Sequence, residues 1–262
     1  MAETPRIYGL EKCVRLCLVP GQEDGTMDPD ELRLRVAASG FLRGKLRAPG
    51  GSRPGAIVLA TVGNTMHGGY DDVREVRDAG TVYVHADAAL GGLVAPHAPS
   101  RPRWSFADGA DSISVSGHKV LGLPVPAGVF LARRYLVAEP SDADVQEYIR
   151  ATDRTLGCSR SGLAVLLMWA ALRQLGHDGM RERIRRCLEV AEYATQQLEK
   201  AGTNPHRPTD SLTVSFARPS SEVVERWHLA CEGDRAHLIA VAHVDHAAVD
   251  ALCADLASQS QP

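Results

Sequence analysis

The chain has 262 residues and a mass of 28.1 kDa, enough for one large domain or two modest ones around a substantial core. Apolar residues make up 44% and charged residues 23%, which excludes disorder, collagen-like repeats or a long coiled coil as the main architecture. Net charge is −3 with a pI near 6.4, so no strong basic field faces a nucleic acid or an anionic membrane.

Met1 to Arg6 lacks the charged head and apolar run of a signal peptide. Asp28-Pro29-Asp30-Glu31 opens a helix: Asp28 can cap, Pro29 suits the first turn, and Leu32, Leu34 and Val36 follow. Ala48 to Gly55 is a Pro/Gly-rich loop. Ala56 to Ala60 reads as a buried strand. A glycine-rich turn, Thr61 to Gly69, leads to a charged helix, Asp71 to Asp78. Further strands are expected at Thr81 to Ala86, Ser112 to Ser116 and Gly128 to Ala132. Continuous apolar strands separated by helices point to a mainly parallel sheet with helices on both faces. Ligands of such sheets sit beyond the carboxyl ends of the strands. Three polar clusters fall there: Gly63 to Thr65, Asp87 to Ala89 and Ser116 to Lys119.

Leu163 to Leu172 is the longest apolar run, ten residues, read as a buried helix too short to span a bilayer. From Met180 to Leu198 apolar residues recur at helical spacing between arginines and glutamates. Arg181 to Arg186 reads as a solvated face. Leu212 to Phe216 is a strand, Ser221 to Cys231 a helix, His237 to Ala242 a strand, and Val249, Leu252, Cys253 and Leu256 lie on a last amphipathic helix. The expected division is a large domain over 1–178 and a small α+β domain over 179–262.

The six cysteines are scattered without C-x-x-C, which suggests reduced thiols and a cytoplasmic protein. Cys13 and Cys17, at i, i+4, are expected to pack. His237, His243 and His246 cluster, but no Cys, Asp or Glu spacing completes a metal site, so no metal is expected. Trp104, Trp169 and Trp227 read as core or interface residues.

Two residues carry the chemistry. Lys119 follows the strand Ser112 to Ser116, with His118 beside it and Gly122, Pro124, Pro126 and Gly128 after it. A lysine desolvated in such a turn is favoured as the free amine, the form that makes Schiff bases. Asp87 ends another strand and is followed by Ala88, Ala89, Gly91 and Gly92, so a flat ring can approach its carboxylate. Pyridoxal 5'-phosphate (PLP) needs such an acidic partner for its ring nitrogen. His85 is expected to point to the opposite face and to pack.

His85-Ala86-Asp87-Ala88-Ala89 and Ser114-Val115-Ser116-Gly117-His118-Lys119 resemble the group II PLP-dependent amino-acid decarboxylases. Gly122 to Gly128, Ser159 to Gly162 and Val224 to His237 resemble the bacterial PLP-type histidine decarboxylases among them. The likeness runs from about Tyr8 to Leu256.

The resemblance implies a fold type I PLP-dependent transferase-like α/β architecture with a small α+β C-terminal domain. It implies Lys119, Asp87 and Thr65 as catalytic, with Lys119 carrying PLP as a Schiff base and Asp87 on the ring nitrogen. Ala89 packs under the ring, and Ser116 and His118 contact the phosphate. The implied reaction is decarboxylation of an L-amino acid, most like histidine to histamine and CO2. Aromatic or aliphatic amino acids are the alternative substrates. A homodimer is implied, with Gly157 to Gly162 reaching the neighbouring site.

Family members carry a further N-terminal part before the point matching Tyr8, with a phosphate-binding turn and a ring-stacking histidine. The chain is therefore expected to be N-terminally truncated. It is then an inactive paralogue, one half of a split decarboxylase served by a separate chain, or a fragment. Cys158 replaces a family glycine, Ala127 a common cysteine and Leu123 a common small polar residue.

Overall fold

The structure is a computed structural model that describes residues 16–41, 55–137, 145–146, 151–152 and 160–259. Cys13, Cys158, the loop before Gly55 and the first half of Gly157 to Gly162 lie outside them.

Helix α1 (Pro29–Phe41) starts where Asp28 Oδ1 accepts from the N–H groups of Asp30 and Glu31, at 2.9 and 3.0 Å. Leu32 and Val36, one turn apart, go to the core, and Leu34 faces out. Strands β1 (Ile57–Thr61), β2 (Tyr83–Asp87) and β3 (Ser112–Ser116) pair in parallel, and β4 (Gly128–Ala132) runs antiparallel to β3. The order in the sheet is β1-β2-β3-β4. Helix α2 (Val73–Asp78) joins β1 to β2 and is capped by Asp72.

The pleat sorts side chains by parity. Val58, Ala60, Val84, Ala86 and Ile113 pack with Leu32 and Val36 of α1 and Val73 and Val76 of α2. Each large apolar side chain buried there contributes about 1.5–3 kcal/mol. The other face carries Tyr83, His85 and Asp87, with Ser112 and Ser114 in register beside them. His85 therefore shares a face with Asp87, which corrects the expected opposite orientation: residues two apart on a strand point the same way. Among the described residues, helices cover one face of this sheet only. On the open face Ile57 is 63%, Leu59 47% and Phe130 64% exposed.

Two polar anchors hold the frame. Buried Asp71 accepts from Met27 N–H at 2.7 Å and Thr61 N–H at 2.6 Å, tying the segment before α1 to the end of β1. Arg77 of α2 pairs with Asp111 ahead of β3 and donates to Gly109 O at 2.7 and 3.0 Å.

A two-residue ladder, β5 (Val145–Gln146) with β6 (Ala151–Thr152), precedes α3 (Gly162–Lys200). Helix α3 is interrupted at Gly176, where φ is 59° and ψ −170°, a conformation open to glycine. Its first half does not form the expected buried helix. Ala164 and Met168 are buried, but Leu163, Val165, Leu166 and Trp169 stand exposed, because the apolar run continues around the helix while only one side meets a core. Its second half packs Ala191, Ala194 and Leu198 against a three-stranded antiparallel sheet of β7 (Thr213–Ala217), β9 (Arg235–Ile239) and β8 (Ala230–Glu232), in that order, and against α5 (His246–Gln259).

The helix expected over Ser221 to Cys231 is shorter: α4 (Ser221–Trp227) ends at His228, whose φ of 49° forms a left-handed cap, and Cys231 lies in β8. Met168, Met180, Ile184 and Cys187 of α3 also meet Leu90, Val94, Val120 and Leu121, so a third cluster bridges the two sheets. Trp104 and Trp227 pack partly into cores. Cys17, expected to pack, is exposed, and its sulfur accepts from Arg35 at 3.3 Å. No helix among the described residues is long and apolar enough to cross a membrane.

Candidate active site

The three polar clusters lie at the carboxyl ends of adjacent parallel strands, and backbone hydrogen bonds stitch the segments together. Val62 N donates to Asp87 O at 2.8 Å, and Ala88 N to Ser114 O at 3.0 Å. Gly91 N donates to Val62 O at 3.0 Å, and Ser116 N to Ala89 O at 3.2 Å. Residues 62, 87–91 and 114–116 thus form one layer at the carboxyl edge of the sheet.

Asp87 is the last residue of β2, and Ala89 follows it. Asp87 Oδ1 accepts from Ala89 N–H at 3.2 Å and from the Ser114 hydroxyl at 3.3 Å. Behind them the chain is pressed tight. A Cβ on Gly91 would stand 2.4 Å from Val62 O, and one on Gly92 2.8 Å from a Val115 methyl. The glycines let this segment close against β1 and β3 and leave Asp87 at the rim.

Ser116 is the last residue of β3, and His118 and Lys119 follow it. Gly117 N donates to Ala127 O at 2.8 Å, and a Cβ at 117 would meet Leu123 at 2.7 Å. His118 is exposed, and its Nδ1 lies 3.0 Å from Ala127 O and 3.2 Å from Ala127 N. Lys119 O accepts from Gly122 N at 3.1 Å in a turn where Gly122 has a φ of 68°. The desolvation expected of Lys119 is only partial: its side chain is half-buried. The open face of the sheet lies next to this turn, so little covers it.

Thr65 sits at an exposed tip of the loop after β1. Asn64 shapes that tip, its Oδ1 accepting from Met66 and His67 N–H at 3.0 and 3.1 Å. Gly68, with a φ of 84°, lies so close to Ser211 and Thr213 that a side chain there would collide with both. The loop is thereby seated on the C-terminal sheet.

Two residues were missed by sequence reasoning. Ser112 and Ser114 bind the His85 ring, Nδ1 at 2.8 Å and Nε2 at 3.2 Å. The signal was present: the alternation of Ser112, Ser114 and Ser116 faces that of Tyr83, His85 and Asp87. Among the described residues no group of three His, Cys, Asp or Glu side chains is placed to hold a metal ion.

The PLP implied by the resemblance fits this layer on two observations. A carboxylate stands at a strand end with alanines and glycines around it, which leaves room for a flat ring. A lysine stands at the end of the neighbouring strand, and among the described residues no acceptor holds its ammonium group. Asp87, Ala89, Ser116, His118 and Lys119 are the residues that could hold the cofactor.

The chain is 36% identical over 97% of its length to a histidine decarboxylase of Pseudomonas entomophila, and 33% identical over 97% to one of Vibrio campbellii. It spans 63% and 66% of the length of those two relatives. Its fold matches L-methionine decarboxylase from Streptomyces sp. 590 with a TM-score of 0.75 at 25% identity, covering 94% of this chain and 61% of that one. Residues 49–207 match the pyridoxal-dependent decarboxylase conserved domain, more than half of the chain. The fold is accordingly that of the fold type I PLP-dependent decarboxylases, and the chain belongs to the pyridoxal-dependent decarboxylase family.

Proposed function

We propose that this protein decarboxylates an L-amino acid with PLP, and that histidine, yielding histamine and CO2, is its substrate. The reading rests on Asp87 at the end of β2 and Lys119 just past the end of β3, on adjacent strands whose following segments are joined by the Ser116–Ala89 hydrogen bond. The choice of histidine rests on relatives of that name at 33–36% identity.

When bound, PLP supplies an electron sink for the charge left at Cα as CO2 departs. Lys119 Nζ would hold the cofactor covalently and, as a free amine, could carry a proton to Cα. The Asp87 carboxylate accepts the ring-nitrogen hydrogen bond and keeps that nitrogen protonated. Ala89 offers a flat apolar contact beneath the ring. Ser116 and His118 donate to the phosphate. Thr65, in the loop after β1, would help to orient the substrate. The working form in this reading is a cytoplasmic homodimer. The exposed Val165, Leu166 and Trp169 on α3 support an apolar contact with a second copy.

The open face of the sheet favours a second reading. Ile57, Leu59 and Phe130 stand uncovered on the same face of the sheet as Asp87, and another polypeptide laid over them would complete the pocket. In that reading the chain is one half of a split decarboxylase, or an inactive paralogue when it stands alone.

The test is CO2 and amine release by the purified chain with PLP, over histidine, aromatic and aliphatic amino acids. Release fastest from histidine, and absent in Lys119→Ala, supports the first reading. Release fastest from another amino acid overturns the histidine assignment. A folded chain inert to all of them favours the second reading.

A further inference from the structure

Four side chains on the open face form an unbroken hydrogen-bonded line that ends at Asp87. Tyr83 Oη lies 2.8 Å from Ser112 Oγ, and Ser112 Oγ 2.8 Å from His85 Nδ1. His85 Nε2 lies 3.2 Å from Ser114 Oγ, and Ser114 Oγ 3.3 Å from Asp87 Oδ1. The pleat and register build this line, with His85 opposite Ser112 and Asp87 opposite Ser114. Phe130 of β4 stacks on the imidazole at 5.7 Å between ring centroids and 22° between planes.

The chemistry of the end group sets the direction of every bond. A carboxylate has no proton to give, so Ser114 donates its only one to Asp87. The Ser114 oxygen then accepts, and its donor is His85 Nε2–H. Burial, the larger effect, pushes the His85 ring below the usual histidine range against the opposing pull of the Asp87 carboxylate. That shift favours the neutral ring at neutral pH, and with Nε2–H donating to Ser114 the unprotonated Nδ1 accepts from Ser112. Ser112 in turn accepts from Tyr83. All four bonds donate toward Asp87.

We propose that His85 is a positioning residue for Asp87. With Tyr83, Ser112 and Ser114 it forms a one-way donor chain that holds the Oδ1 edge of the carboxylate and leaves the other oxygen to the cofactor ring nitrogen. The proposal rests on the reading of Asp87 as the ring partner. Donors aligned in one direction polarise one another and strengthen the last bond. Ala89 N–H adds a second donor to the same oxygen at 3.2 Å.

The test has two arms on the full chain. In the first, without PLP, 15N-labelled histidine is read by two-bond 1H–15N correlation NMR at neutral pH, the His85 signals being assigned by their loss in His85→Gln. The expected result is an Nε2–H ring, with Ser112→Ala producing a mixture of tautomers. An Nδ1–H or doubly protonated ring overturns the proposal. In the second arm PLP affinity is measured. His85→Leu is expected to weaken it about tenfold or more. His85→Gln, whose amide N–H takes the place of Nε2–H, is expected to restore most of that loss. Equal losses in the two variants overturn the proposal by showing a packing role alone. A chain with the Nε2–H ring that binds no PLP contradicts the decarboxylase reading and leaves the donor chain standing.

Discussion

Gly91 donates its N–H to Val62 O at 3.0 Å, and a Cβ on Gly91 would lie 2.4 Å from that same oxygen. The segment after Asp87 thus touches the end of β1 at a distance that only glycine permits. Gly91→Ala must push the 88–92 segment away from Val62. Overpacking of this kind costs about 1–3 kcal/mol. The expected result is a lower Tm together with weaker PLP binding, since the same shift moves Asp87. A variant with unchanged Tm and affinity would show that the contact does not hold the site.

Asp71 is not among the expected cofactor residues, yet it holds the end of β1. Its two oxygens serve Met27 N–H and Thr61 N–H. Asp71→Ala leaves both buried donors unsatisfied, at about 1–3 kcal/mol each. Asp71→Asn keeps one acceptor and should lose roughly half as much. Urea unfolding of the three proteins checks the ranking wild type, Asn, Ala.

Arg77 and Asp111 form a pair in which the carboxylate is nearly buried and the guanidinium is partly covered. Asp111 Oδ2 also accepts from Val84 N–H at 2.8 Å. Asp111→Ala strands the arginine and a β2 amide, and a loss of about 3–5 kcal/mol is expected. A double-mutant cycle with Arg77→Met should give a coupling above about 1 kcal/mol. Additive losses would refute the pairing.

Stability should fall on mild acidification. Burial pushes His85, His97 and His237 below the histidine reference of 6.5, with the neighbouring His67 adding to the shift at His237. A depressed histidine binds fewer protons folded than unfolded. Its contribution is therefore fully present above pH 6.5 and is lost as pH falls below that value. His237 is the most enclosed of the three, 7% exposed, and its Nδ1 has no partner among the described residues. Thermal unfolding between about pH 7 and pH 5 should show a falling Tm, with a shallower fall in His237→Asn. An equal slope in both proteins would contradict this assignment.

Much of this frame was legible in the residues. Strands Ser112–Ser116 and Gly128–Ala132 were placed to the residue, because their apolar alternation is bounded by Asp111, Gly117 and Ala127-Gly128. Asp28 announced its helix, because capping is a local act. The candidate site positions were named because Asp87 ends a strand and Lys119 lies just past another, and their roles came from the family resemblance. What escaped was long-range. The exposure of Val165, Leu166 and Trp169 depends on what lies beside α3, which periodicity does not report. Helix α4 stops at His228 through a left-handed backbone that its composition does not announce. The orientation of His85 was open to arithmetic on strand parity, and its hydrogen-bonded neighbours needed the β2–β3 register.

The central claim is that Lys119 and Asp87 form a cofactor site. Titrating the purified chain with PLP while following visible absorbance tests it most directly. The account predicts a saturable Schiff-base band that disappears in Lys119→Ala and is weakened in Asp87→Asn. A folded chain that shows no band, or one that persists unchanged in Lys119→Ala, would contradict it.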